Sequence, residues 1–197
     1  MTQPVKLNFK IYQGSTFQEV LRWESSTKVY VPITNITKSA PVIITAANHN
    51  IPIGWRARIT NVSGMKEINC SEEEYYQVTA TTTDTATINS VNSLGYTQYT
   101  SGGVLEYNQP VDLAGYTARM HIREKLESTS IILQLTTENN RIVLDNTAKT
   151  ITLKISATDT ATLTVPQAVY NLELVSSTGI VTSLIAGNIQ LLKEVTR

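Results

Sequence analysis

Period-two alternation of apolar and polar residues recurs along most of this chain, and it restricts the chain to sheets. Leu7, Phe9 and Ile11 alternate with Asn8 and Lys10. From Thr117 to Arg123, Ala118, Met120 and Ile122 take one face, and Thr117, Arg119, His121 and Arg123 take the other. Ile131, Leu133 and Leu135 repeat the pattern, as do Ile151, Leu153 and Ile155, and Tyr170, Leu172 and Leu174. A final strand is expected from Asn188 to Val195. Antiparallel sheets with one wet face give this alternation. Turns are expected at Gly14-Ser15, at Ser25 to Thr27, at Asn139-Asn140 and at Ser177 to Gly179. Phe17 to Trp23 reads as a second strand, and Tyr30 to Ile33 as a short extended piece limited by Pro32. Ser156 to Leu163 reads as a short helical turn or a loop, because its threonines lower helix propensity.

The stretch from Thr37 to Tyr107 has a different texture. Turn signals crowd it at His49 to Gly54, at Ser63-Gly64 and at Gly102-Gly103. Short strands are expected at Pro41 to Thr45, Trp55 to Val62, Tyr75 to Thr79, Thr85 to Ile88 and Val104 to Tyr107, with a single turn or bend at Lys66 to Asn69. Their close spacing suggests a small sandwich or barrel. The first ~35 residues match the later part in style, and a sandwich needs both sets of strands to bury its facing sheets. The expected layout is therefore all-β: one sandwich from residues 1–37 and 107–197, interrupted by a small β module over 38–106.

Composition narrows function. Lys+Arg and Asp+Glu are 16 each, so the net charge is zero. A neutral chain without a basic run is poorly suited to neutralising nucleic-acid phosphates. Cys70 is the one cysteine, which rules out an internal disulfide and a cysteine-based zinc site. No N-terminal apolar run resembles a signal peptide, and no stretch approaches the ~20 apolar residues of a helical membrane span. A chain made and kept in a reducing cytoplasm, or in a particle assembled there, is expected.

No pattern of chemistry emerges. His49 sits in an Asn-flanked turn, where imidazole can bond local backbone, and His121 is expected to be exposed on a strand; neither has a carboxylate nearby in sequence. Glu72, Glu73 and Glu74 lack the alternation and bend glycine of a calcium loop. Gly102-Gly103 precedes no helix start, and Ser63 and Ser101 lack a nucleophile-elbow frame. No catalytic residue, cofactor or metal is expected. The aromatic residues Trp55, Tyr75, Tyr76, Tyr96, Tyr99 and Tyr107 leave two readings open. They fill a small barrel core, or Trp55, Tyr75, Tyr76, Tyr96 and Tyr99 form an interaction surface able to grip a protein or stack on sugars.

Four segments carry a family resemblance: His49 to Gly54, Ile59 to Asn69, Tyr75 to Val78, and Gly95 to Gly103. Together they resemble the FCCH domain, a small β-barrel module named from ubiquitin-activating enzymes and found in tailed-phage structural proteins. The match covers roughly a third of the chain and implies no adenylation or thiol-transfer activity. Phe9 to Phe17, Asp112 to Met120, Tyr170 to Leu174 and Gly187 to Leu191 are similar to the Ig-like sandwich at the N-terminus of phage baseplate upper proteins. The resemblance implies a virion structural protein assembled in the bacterial host cytoplasm. Its implied partners are other virion proteins of the tail, baseplate, fibre or capsid, and further symmetric copies of itself. The sequence ends at Arg197 without a long fibre extension, so an adaptor or decoration is expected rather than a receptor-binding tip. A capsid decoration protein and a carbohydrate-binding module on the virion are the alternatives.

Overall fold

The computed structural model describes residues 3–194. In chain order its strands are β1 Val5–Lys6, β2 Phe9–Tyr12, β3 Phe17–Leu21, β4 Glu24–Pro32, β5 Asn35–Ile36, β6 Val42–Thr45, β7 Arg56–Ser63, β8 Tyr76–Gln77, β9 Ala80–Thr81, β10 Thr85–Ile88, β11 Ser101–Pro110, β12 Thr117–Arg123, β13 Leu133–Thr136, β14 Ile142–Asp145, β15 Thr150–Ile155, β16 Gln167–Val175 and β17 Val181–Leu192. One α-helix, α1 Ala157–Thr162, and one 3-10 turn, Lys66–Ile68, complete the described elements. Ser156 starts α1 because its hydroxyl accepts from the Asp159 N–H at 3.0 Å. Val195, the expected end of the last strand, lies outside the described residues. Among the described residues no helix is long and apolar enough to cross a membrane.

The protein is all-β, and the chain divides into two compact units, Met1–Arg22 with Asp112–Arg197, and Trp23–Val111. In the first, the N- and C-terminal strands share one six-stranded sheet, ordered β1-β17-β16-β12-β13 with β2 also on β17. β1 and β2 run parallel to β17, pairing Val5 with Ile185 and Phe9 with Ile189. The chain bends between them at Leu7-Asn8, where a Cβ on Gly187 would meet the Leu7 carbonyl oxygen at 1.9 Å. Only glycine permits that approach. The second sheet is β14-β15-β3. Phe9 of the larger sheet meets Phe17 of the smaller edge-on at 5.4 Å and stacks on Tyr170 at 5.0 Å. Met120, Ile122, Leu135, Ile151, Leu153 and Leu172 are buried, so the alternating positions face inward. Ile131 is an exception: it is exposed and precedes β13.

The Trp23–Val111 unit has two four-stranded sheets, β5-β6-β10-β9 and β4-β11-β7-β8. Its core includes Trp55, Ile36, Ile44, Ile59, Met65 and Ile88. The unit begins earlier in the chain than the expected module boundary at residue 38. β4 pairs with β11 from Pro32↔Val104 to Glu24↔Pro110, which ties residues 24–32 to this unit. The turn expected at Ser25 to Thr27 is instead part of β4. β4 ends its sheet, so Pro32 costs no interior ladder bond. Across the two chain crossings, the Val111 N–H donates to the Trp23 carbonyl at 3.0 Å.

Candidate functional site

The expected interaction residues separate into a core set and a surface set. Trp55 has no exposed surface, and its indole N–H donates to the Asn108 carbonyl at 2.7 Å. Its assignment to an interaction surface is therefore corrected: the ring fills the core, and its single polar atom is satisfied there. Tyr107 is also buried, with its hydroxyl donating to the His49 carbonyl. Tyr76, Tyr96 and Tyr99 are half-buried and pack against the same core. Burial comes first among the causes that push the Tyr76 hydroxyl up to about 12, with Cys70, Glu74 and Tyr96 adding to it.

Tyr99 shows why the segment ending at Gly103 has its residue types. Its hydroxyl lies 2.9 Å from the Gly102 carbonyl and 3.2 Å from that of Ile33, and its one proton serves one of them at a time. Gly103 has φ +100°, and a Cβ there would sit 2.7 Å from Val62. The segment from Ile59 to Asn69 is closed similarly. The Asn69 amide accepts from the Val62 N–H at 2.8 Å and donates to the Val62 carbonyl at 3.1 Å, standing in for a neighbouring strand.

Tyr75 is the expected surface residue that is exposed, at 44%. The Arg56 guanidinium lies 4.9 Å from its ring centroid and that of Arg58 lies 6.0 Å away. Alternation on β7 sends both arginines to the outer face of the β4-β11-β7-β8 sheet. There Arg56 binds Glu24 at 2.7 Å through a fork contact, and Asn108 also donates to Glu24 at 3.1 Å. Glu106, opposite Arg58 and Tyr30, pairs with Lys28 and lies 3.8 Å from Arg58. The hydrogen bond it donates to Glu106 is the first cause holding the Lys28 ammonium above its ordinary range. This charged belt joins residues 24, 28, 56, 58 and 106, a grouping that only the strand order creates. Period-two spacing on β7 was the available signal for Arg56 and Arg58.

His49 is buried, and its Nδ1 accepts from the Ile51 N–H at 3.1 Å, the local backbone role expected of it. His121 lies on the polar face of β12 but is half-buried, where full exposure was expected. Cys70 is half-buried, accepts from the Ile59 N–H at 3.3 Å, and has its thiol pushed up mainly by burial. That is opposite to the lowering that activates a thiol. Glu74 accepts from the Ser71 N–H at 3.2 Å and so closes its own turn. Among the described residues no three or more His, Cys, Asp or Glu side chains are grouped to hold a metal ion.

No protein-family model and no curated protein matches the chain.

Proposed function

We propose that the chain is a non-enzymatic structural component of a tailed-phage particle, placed in the tail, the baseplate or a fibre attachment. In this reading the unit formed by both chain ends is an Ig-like sandwich. The Trp23–Val111 unit is an FCCH-like β-barrel inserted into it. The supporting observation is how the residues of the resemblance are used. Gly64, Asn69, Tyr99, Gly102 and Gly103 fix turns and strand ends, and Trp55 fills the core. Residues committed to architecture suit a rigid building block. A sugar-stacking platform needs open rings, and burial of Trp55 and the tethered Tyr99 hydroxyl weigh against that alternative.

Immunogold electron microscopy of particles of the encoding virus tests the reading, with antibody raised against the Trp23–Val111 unit. Label at the tail or baseplate is the expected result. Label spread over the head lattice would replace it with capsid decoration. Purified particles that lack the protein would overturn a virion role.

A further inference from the structure

A cavity of about 320 Å³ opens on the polar face of the six-stranded sheet, over β12, β16 and β17. That is the lower end of the range for small-ligand pockets, roughly 300–1,000 Å³. Strand register builds it. Arg119, His121 and Arg123 recur at period two on β12, opposite Glu173, Asn171 and Val169 of β16. Asn171 is paired in turn with Ala186 of β17, whose methyl group leaves the floor low. Leu126, from the loop after β12, lines a further side and is 83% exposed.

The two arginines are not equivalent. Arg119 is neutralised: its Nε and a terminal nitrogen reach one Glu173 oxygen at 2.8 and 2.7 Å. Arg123 uses one terminal nitrogen to donate to the carbonyls of Ser128 at 2.6 Å and Thr129 at 2.7 Å. Those carbonyls orient the guanidinium without cancelling its charge. Among the described residues, none of the ion pairs includes Arg123. Its remaining N–H groups are therefore pre-oriented and carry an uncompensated charge. His121 forms part of the wall, and its Nε2 is buried without a hydrogen-bond partner, a state that folded proteins seldom leave uncompensated. Val169, Ala186 and Leu126 supply apolar surface beside these groups.

We infer that this cavity binds a single carboxylate carried on a short apolar frame, with Arg123 as the anchoring cation. The carboxylate accepts from the free N–H groups of Arg123, and the apolar frame lies against Val169, Ala186 and Leu126. Glu173 disfavours a second negative charge, so a monocarboxylate fits better than a diacid. A free small acid and the C-terminal residue of a neighbouring polypeptide present the same chemistry. The inference stands independently of the particle reading.

The two histidines, His49 and His121, make the imidazole NMR signals of the full chain a direct assay. His121 reads the cavity, and His49, buried in the Trp23–Val111 unit, is the control. The probes are 4-methylpentanoate, its uncharged amide, and acetyl-Gly-Gly-Leu with a free C-terminus. Saturable movement of the His121 signals with 4-methylpentanoate, and none at His49, is expected. The amide and the Arg123→Gln variant should each weaken binding by about tenfold to a hundredfold, the value of one charge-assisted hydrogen bond. Arg123→Lys, which keeps charge but loses the fork, should fall between. A peptide binding at least ~tenfold more tightly than the free acid assigns the site to a neighbouring chain; equal or weaker peptide binding assigns it to a free acid. No saturable shift, or equal binding of acid and amide to the wild-type chain, overturns the inference even if Arg123→Gln fails to fold. So does unchanged affinity in a folded Arg123→Gln variant.

Discussion

The indole N–H of Trp55 donates to the backbone carbonyl of Asn108 across 2.7 Å, from a side chain with no exposed surface. Trp55 precedes β7 and Asn108 lies in β11, so one hydrogen bond links two segments far apart in sequence inside the core. Truncating this ring removes packing and leaves a carbonyl unpaired. Trp55→Ala should cost about 3–5 kcal/mol, and Trp55→Phe, which mainly loses the hydrogen bond, about 1–3 kcal/mol. Urea unfolding followed by circular dichroism measures both. A cost below about 1 kcal/mol for Trp55→Ala would contradict a core position.

Residues 23–111 expressed alone should fold. β4 brings Val29 and Val31 to the core, and its pairing with β11 runs from Pro32↔Val104 to Glu24↔Pro110. A fragment of residues 38–106 lacks that strand and should be largely unfolded. Amide NMR dispersion of the two fragments decides the matter: equal dispersion would mean that β4 is dispensable.

Three glycines grade the cost of adding a methyl group. At Gly64, φ is +83° and a Cβ would lie 2.2 Å from the Gln98 carbonyl oxygen, so Gly64→Ala combines backbone strain with a collision against main chain. It should cost more than the ~1–2 kcal/mol of the left-handed conformation alone. Gly179→Ala meets only that conformational term, because φ is +82° and no atom lies within 4 Å. Gly95→Ala meets no atom within 4 Å and should be within about 0.5 kcal/mol of wild type. Thermal melts of the three variants should fall in that order.

Stability should drop on the alkaline side. The Tyr76 hydroxyl is pushed up to about 12, chiefly by burial, and burial also raises those of Tyr107 and Tyr170. An unfolded tyrosine ionises near pH 10. The stabilisation from Tyr76 is therefore intact below about pH 10 and is lost as the pH rises through about 12. Tyr76→Phe should lessen the fall between pH 10 and 12, read by circular dichroism alongside absorbance at 295 nm. An unchanged alkaline profile would mean that Tyr76 ionises in the folded protein as it does in water. On the acid side, the Thr97 N–H is the first cause holding the Glu67 carboxyl below its ordinary range. Its contribution is present above about pH 4 and declines as the pH falls below that. Hydrogen exchange at the Thr97 amide should accelerate there.

Alternation by itself determined which positions of β12, β15 and β16 face inward, because side-chain direction in a strand is a local property of the backbone. The same local chemistry determined the glycine turns and the backbone role of His49. Tertiary structure decided what depends on partners distant in sequence. It joined Glu24 with Arg56 and Lys28 with Glu106, and set β1 and β2 parallel to β17. It drew β4 into the Trp23–Val111 unit and turned Trp55 inward. An aromatic residue in a short strand carries the same signature on a surface as in a core. Which of the two it occupies depends on the apolar area that opposing sheets can bury together, and that area exists only once the sheets have met.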